Sequence, residues 1–194
     1  MRLLTLVNII LFLGCSVNKS AVQSVYITQD QKYSIANPRD LGVEITAAQS
    51  FTGNYQDKVF SFHCHLEIDS TQLTVIGLSA IGNKIFTLKQ TDKNIEFDMG
   101  PMVRTPFRPE YFLMDFQLTY LPLSVLESIF DNTEIRFEEI KNTGLTRNIY
   151  DKEELIVKIK YEGQDKWNSN LRFENLKRNY SFTIEPAEVK IKNI

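Results

Sequence analysis

Residues 58–69 read Lys-Val-Phe-Ser-Phe-His-Cys-His-Leu-Glu-Ile-Asp. In an extended chain successive side chains point to opposite faces, so Phe60, Phe62, Cys64, Leu66 and Ile68 share one side and Ser61, His63, His65 and Glu67 the other. Period two over this length predicts a strand with one buried face. The pattern recurs outward from this segment, at Val43, Ile45 and Ala47, at Leu73 and Val75, at Phe86 and Leu88, and at Ile95 and Phe97. It resumes at Ile135 and Phe137, at Leu155, Val157, Ile159 and Tyr161, and at Tyr180, Phe182 and Ile184. Asp69-Ser70, Gly82-Asn83, Asp92-Lys93-Asn94, Asn142-Thr143-Gly144 and Glu162-Gly163 separate the runs as turns. Short connections predict roughly nine strands, each antiparallel to its neighbour in sequence.

From Arg108 to Phe130 the apolar spacing changes from two to three and four, at Phe112, Leu113, Phe116, Tyr120 and Leu123. Pro109 suits a first helical turn, Glu110 and Asp115 are placed to favour its positive end, and Pro122 predicts a break followed by a second short helical segment. One helical unit cannot cover nine strands laid flat. A sheet with a single apolar face must then curl to bury it, so the expected fold is mostly β with one helical lid, a curled antiparallel sheet forming an incomplete barrel. Its concave lining is predicted to include Phe60, Phe62, Leu73, Val75, Phe86, Phe97, Phe137, Tyr161 and Phe182, joined by Phe112 and Phe116 from the helix. Such a lining is either packed solid or leaves an apolar cavity for a ligand.

The chain starts with Arg2 and an apolar run, Leu3 to Leu13, that ends in Gly14-Cys15-Ser16. That is the pattern of a secretory signal, and the run is too short to span a bilayer. Leu11-Phe12-Leu13-Gly14-Cys15 also resembles the lipobox of bacterial lipoproteins, with Phe12 where that motif carries Leu. The resemblance implies a signal peptide over 1–14, acylation of Cys15 with palmitate-type chains, a lipidated polar tether over 15–24 and a domain over 25–194. Ser16, in place of an Asp, resembles the sorting signal for the outer membrane, so the expected location is the periplasmic face of that membrane, held by lipid. The chain has 194 residues, two cysteines and a net charge of −2. Acylated Cys15 leaves Cys64 without a disulfide partner, and the balanced charge gives no electrostatic case for nucleic acid.

Gln72 to Ser79 through Gly82 with Ile85-Phe86-Thr87-Leu88, the helix Asp115-Phe116-Gln117-Leu118 to Leu121-Pro122-Leu123, and Leu171 to Leu176 with Tyr180-Ser181-Phe182 are separated segments that together resemble a bacterial lipoprotein family, domain of unknown function 3261. The resemblance implies a fold like LolA and LolB, the periplasmic carrier and the outer-membrane receptor of lipoproteins, with a helical lid over an apolar cavity. It further implies a cargo that is a lipoprotein or an aryl-polyene-type lipid, delivered by a periplasmic LolA-like carrier. Unlike LolB, the chain lacks many tryptophans and a protruding leucine loop, and Trp167 stands alone in the polar turn 164–170.

No constellation of residues points to chemistry. His63 and His65 face away from Cys64 on a strand, and the chain has no third His, so no metal is expected. Gly77 to Gly82 lacks the strand-to-helix context of a serine nucleophile and reads as a hairpin connection. Adjacent carboxylates at Glu138-Glu139 and Glu153-Glu154 point oppositely on strands and are expected to be solvated. The expected class is an outer-membrane lipoprotein that binds a lipid or acylated cargo, with no cofactor and no enzymatic activity. The alternative is an envelope scaffold whose core is solid.

Overall fold

A computed structural model describes residues 18–20, 24–55, 58–100 and 108–193, with residues 18–20 and 193 described by their backbone alone. The expected signal peptide over 1–14 and Cys15 lie outside the described residues. The first described segments are the strands β1 (Asn18–Ser20), β2 (Ser24–Tyr26) and β3 (Lys32–Ser34), then a 3-10 turn at Pro38–Leu41. A meander follows, β4 (Val43–Tyr55), β5 (Lys58–Ile68), β6 (Gln72–Leu78), β7 (Lys84–Thr91) and β8 (Ile95–Met99). After the helices α1 (Pro109–Tyr120) and α2 (Leu123–Ile129), a second meander comprises β9 (Ile135–Lys141), β10 (Leu145–Asp151), β11 (Glu154–Tyr161), β12 (Leu171–Asn175) and β13 (Tyr180–Asn193).

The two meanders fuse into one antiparallel sheet of eleven strands, in the order β1-β8-β7-β6-β5-β4-β13-β12-β11-β10-β9. The long strands β4 and β13 form its centre, paired from Tyr55–Tyr180 to Val43–Asn193. Pro186, which cannot donate to a ladder, sits at the bulge in that pairing. β2 and β3 make a separate hairpin. The outer strands β1 and β9 are not paired with each other, so the barrel is incomplete. Its curl follows from the partners of α1. That single helix is hydrogen-bonded to Gln49 of β4, Gln90 of β7, Arg147 of β10, Tyr161 of β11 and Tyr180 of β13, and only a sheet wrapped around it brings all five within reach.

The mostly β, half-barrel fold is as the alternation requires. Along β5, Cys64, Leu66 and Ile68 are buried while His63, His65 and Glu67 are exposed. Pro122 caps the start of α2 and separates it from α1. Other expectations are corrected. The sheet has more strands than the alternation predicts, because β10 and β12 escape it: β10 turns the polar side chains Arg147 and Asn148 into the protein, and β12 is five residues long. Asn18–Ser20, expected within a tether, pairs with β8 as an edge strand, Asn18 opposite Phe97. Val25, Ile27 and Tyr33 put the 24–34 hairpin into the core. Gly77 lies inside β6, and the hairpin turn is confined to Ser79–Asn83, where the Ser79 N–H donates to the Asn83 carbonyl at 2.8 Å and Gly82 takes φ +81°.

Trp167, set in a polar turn, and Glu139, expected to be solvated, are largely covered, and so is Asp115. Trp167 is 8% exposed and stacks on Tyr120 with ring centroids 3.8 Å apart, closing the far end of the helix. Glu139 accepts hydrogen bonds from Arg147 Nε and Nη2 at 2.9 and 2.7 Å and from Lys166 at 2.9 Å. Burial raises its carboxyl pKa, but the bonds from Lys166 and Arg147 and their charges outweigh that and hold it low. Asp115, expected to favour the positive end of the helix, lies in the middle of α1, beyond its first turn, and is buried.

Candidate functional site

The C-terminal half of α1 is fixed by polar bonds to the sheet. Gln117 accepts from Tyr33 Oη at 2.5 Å and from the Ala36 N–H at 2.9 Å, and donates to the Ala36 carbonyl at 2.8 Å. Arg147, with no exposed surface, donates to the carbonyls of Leu118 at 2.5 Å and Leu121 at 2.8 Å. A cation at a helix C-terminus satisfies carbonyls that lack helical partners and opposes the negative end of the dipole. Tyr161 Oη donates to the Thr119 carbonyl at 2.6 Å, and Gln49 Nε2 to Tyr120 Oη at 2.9 Å. This half of the helix fills the half-barrel.

Beside its N-terminal half the half-barrel stays open, leaving a half-enclosed cavity of about 920 Å³, toward the upper end of the ~300–1,000 Å³ usual for small-molecule sites. Its floor and walls are Phe51 of β4, Phe60 and Phe62 of β5, Phe86 of β7, Met99 of β8, and Tyr180 and Phe182 of β13, faced by Tyr111, Phe112, Asp115 and Phe116 of α1. Inward positions on adjacent strands put these rings in register: Phe51 pairs directly with Phe62, and their rings stack 5.1 Å apart. Phe62 meets Phe86 edge-on at 5.8 Å, Phe86 meets Phe112 at 5.7 Å, and Phe182 stacks on Phe173 at 4.6 Å. Two glycines shape the wall. Phe86 lies across Gly77, its cross-strand partner, and a Cβ there would stand 2.4 Å from the ring; Phe60 lies likewise across Gly53, at 2.5 Å.

Of the lining read from sequence, Phe60, Phe62, Phe86, Phe112, Phe116 and Phe182 border this cavity. The others face inward elsewhere and are not among its walls. Leu73 and Val75 are fully buried in packed core, Phe97 backs onto Phe86 at 5.9 Å, Phe137 packs at 5.4 Å on Phe130, the residue that follows α2, and Tyr161 is bonded to α1. The periodicity gives a side chain's face but not its height along the barrel, and α1 occupies one end only. The wall residues that the reading lacks include Phe51, Tyr180, Tyr111, Met99 and Asp115. Phe51 and Tyr180 continue the alternation of their strands, so a signal for them exists, whereas nothing local marks Asp115 as buried.

Charge is confined to the mouth and to one deep group. Lys58, Arg108 and Arg178 border the opening. Arg178 lies over the Tyr111 ring at 3.8 Å and donates to the Tyr26 carbonyl, and Arg108 approaches the same ring at 5.9 Å. Deeper, Asp115 Oδ2 accepts a hydrogen bond from Tyr180 Oη at 2.5 Å, while Tyr180 Oη accepts from Asn175 Nδ2 at 3.2 Å. Burial pushes the Asp115 carboxyl up to about 7 against the opposing effects of the Tyr180 hydrogen bond and the Arg178 charge. Burial also pushes the Cys64 thiol up, so it behaves as a small apolar core group. The arrangement suits an elongated apolar molecule whose polar end stays at the mouth.

The model of a family described as protein of unknown function (DUF3261) matches residues 46–188. No curated protein matches the chain. Among solved structures, the chain is similar to a LolA superfamily protein from Nitrosomonas europaea, at 12% identity and a TM-score of 0.43 over 82% of this chain and 90% of that one. It is also similar to a domain from Vibrio parahaemolyticus described as an outer membrane lipoprotein-sorting protein, at 10% identity and a TM-score of 0.37 over 78% of this chain and 86% of the other.

Proposed function

The chain belongs to DUF3261, a family of proteins of unknown function, and from its cavity we propose that it is a non-enzymatic outer-membrane lipoprotein that receives a lipid or acylated cargo in the periplasm. The observation that carries this reading is the 920 Å³ aromatic cavity beside a helix held firmly at its other end. A scaffold with a solid core would leave no such volume. Each methylene moved from water into the cavity is favourable by about 0.8 kcal/mol, so ten contribute roughly 8 kcal/mol before ordering costs. The net corresponds to micromolar or weaker binding, which suits a cargo that must leave again. Transfer needs no covalent step. It follows the affinity difference between donor, cavity and membrane, and the part of α1 free to yield is its N-terminal half, away from Gln117 and Arg147.

The proposed anchor fits the same reading. Asn18 pairs with Phe97, two residues from Met99 in the cavity wall. Cys15 is three residues before Asn18, a reach of about 10 Å, so acyl chains on Cys15 would hold the cavity end of the half-barrel at the bilayer. The test is fluorescence titration of the purified domain with cis-parinaric acid. Saturable binding that is lost in Phe60→Glu, where a charge meets an apolar wall, is the expected result; no saturable signal from the folded wild type refutes the proposal.

A further inference from the structure

One group in the cavity is at odds with a purely apolar cargo. Asp115 is 8% exposed and forms part of the cavity wall, and its Oδ1, itself covered, has no hydrogen-bond partner among the described residues, so a ligand reaches it only as the N-terminal half of α1 yields. A buried acceptor without a partner is costly. The structure does not simply tolerate this carboxyl; it orients it. Asn175 donates to Tyr180 Oη, which commits the Tyr180 hydroxyl hydrogen to Asp115 Oδ2 and leaves Oδ1 as the free acceptor. The surrounding charged groups leave Oδ1 free as well. Arg178 stays over Tyr111 and on the Tyr26 carbonyl, and Arg108 stays beside Glu110 at 3.8 Å.

We propose that Asp115 Oδ1 recognises a hydrogen-bond donor, a hydroxyl or an amide N–H, carried next to the acyl chain of the ligand. This rests on the acyl-binding reading above and adds the class of head to it. The cargo is then an acylated molecule with a donor beside its chain, placed among the aromatic walls and not at the mouth, and a chain that bears no donor there is a poorer ligand. An unmodified ester cannot fill the place, because it offers only acceptors to a carboxylate.

The experiment compares two neutral probes with the same chain, 1-monolauroylglycerol and methyl laurate, by displacement of cis-parinaric acid from the full mature domain at pH 8. The wild type is expected to bind the monoglyceride at least about tenfold more tightly, the size of one hydrogen bond to a charged group. In Asp115→Asn the Tyr180 hydroxyl still donates to the side-chain oxygen, which turns the amide NH2 toward the ligand and replaces the acceptor by a donor. That variant should lose the preference while binding methyl laurate as before. In Tyr180→Phe the preference should persist, since Oδ1 is untouched. Equal binding of the two probes by the wild type, or a preference that survives Asp115→Asn, overturns the role of Asp115 and leaves acyl binding standing. Failure of both probes overturns acyl binding itself.

Discussion

Replacing Arg147 by Met should lower stability by about 3–5 kcal/mol, although Arg147 lies on a strand and is not itself part of the cavity wall. The side chain has no exposed surface, donates twice to Glu139 at 2.9 and 2.7 Å, and donates to the carbonyls of Leu118 and Leu121 at 2.5 and 2.8 Å. Met replaces the apolar stem without supplying any donor. Removing one partner of a buried pair costs about 3–5 kcal/mol, chiefly because the other charge stays behind; Lys166, 2.9 Å from Glu139, softens that part. The two orphaned carbonyls act in the opposite direction, at about 1–3 kcal/mol each. Against a total of about 5–15 kcal/mol for a domain of this kind, the loss is large, and urea unfolding at pH 7 measures it. Acid unfolding supplies a second reading. Because the folded-state pKa of Glu139 is depressed, its stabilisation is present above the ordinary carboxylate value of 4.5 and is lost as pH falls through the lowered one. The variant should therefore lose less stability than the wild type below about pH 4.5. A midpoint shift worth less than about 1 kcal/mol at pH 7, with an unchanged slope, would refute the claim that Arg147 fixes the helix.

Asp115→Asn should change the pH dependence of stability in the reverse sense. With its carboxyl raised from 3.8 to about 7, the wild type loses up to about 4 kcal/mol as pH rises across that interval, and the amide does not titrate; thermal unfolding at pH 4.5 and pH 8 should show the variant gaining on the wild type at the higher pH, and parallel profiles would contradict the burial of a strained carboxyl. Gly77→Ala should cost about 1–3 kcal/mol and weaken probe binding, because the new methyl stands 2.4 Å from the Phe86 ring and must tip it into the cavity; unfolding and titration on one sample check both effects. His63→Ala and His65→Ala should each change stability by no more than about 0.5 kcal/mol and leave binding unaltered, as both rings are exposed on the convex face; a larger loss of binding would mean that the face assignment of β5 is reversed.

The half-barrel was legible because its inner face is written in period two, from Ile45 and Ala47 of β4 through Phe60 and Phe62 of β5 to Phe182 and Ile184 of β13, and because one helical segment cannot cover that much apolar face. What the pattern could not carry is the polar interior. Arg147, Gln117, Gln49 and Asp115 read locally as surface residues, yet each is buried and bonded across the half-barrel, Gln117 to Tyr33 and Ala36 some eighty positions away in the chain. Such pairs depend on curl and register, which hydrophobic alternation leaves open. Trp167 shows the same limit from the other side, since a polar turn conceals a ring that stacks on Tyr120. The cavity was legible in kind and only partly in place. Six expected rings border it, while Leu73, Val75, Phe97, Phe137 and Tyr161 share their face but not their height.

Native mass spectrometry of the Cys15→Ala protein, exported to the periplasm and purified without detergent, tests the central claim most directly. The account predicts a population carrying one additional non-covalent mass, identified on extraction as an acyl-bearing molecule with a hydroxyl or amide beside its chain, and its absence from Phe60→Glu prepared in parallel. A wild-type cavity recovered only empty, from a folded protein that also leaves cis-parinaric acid unbound, would contradict it.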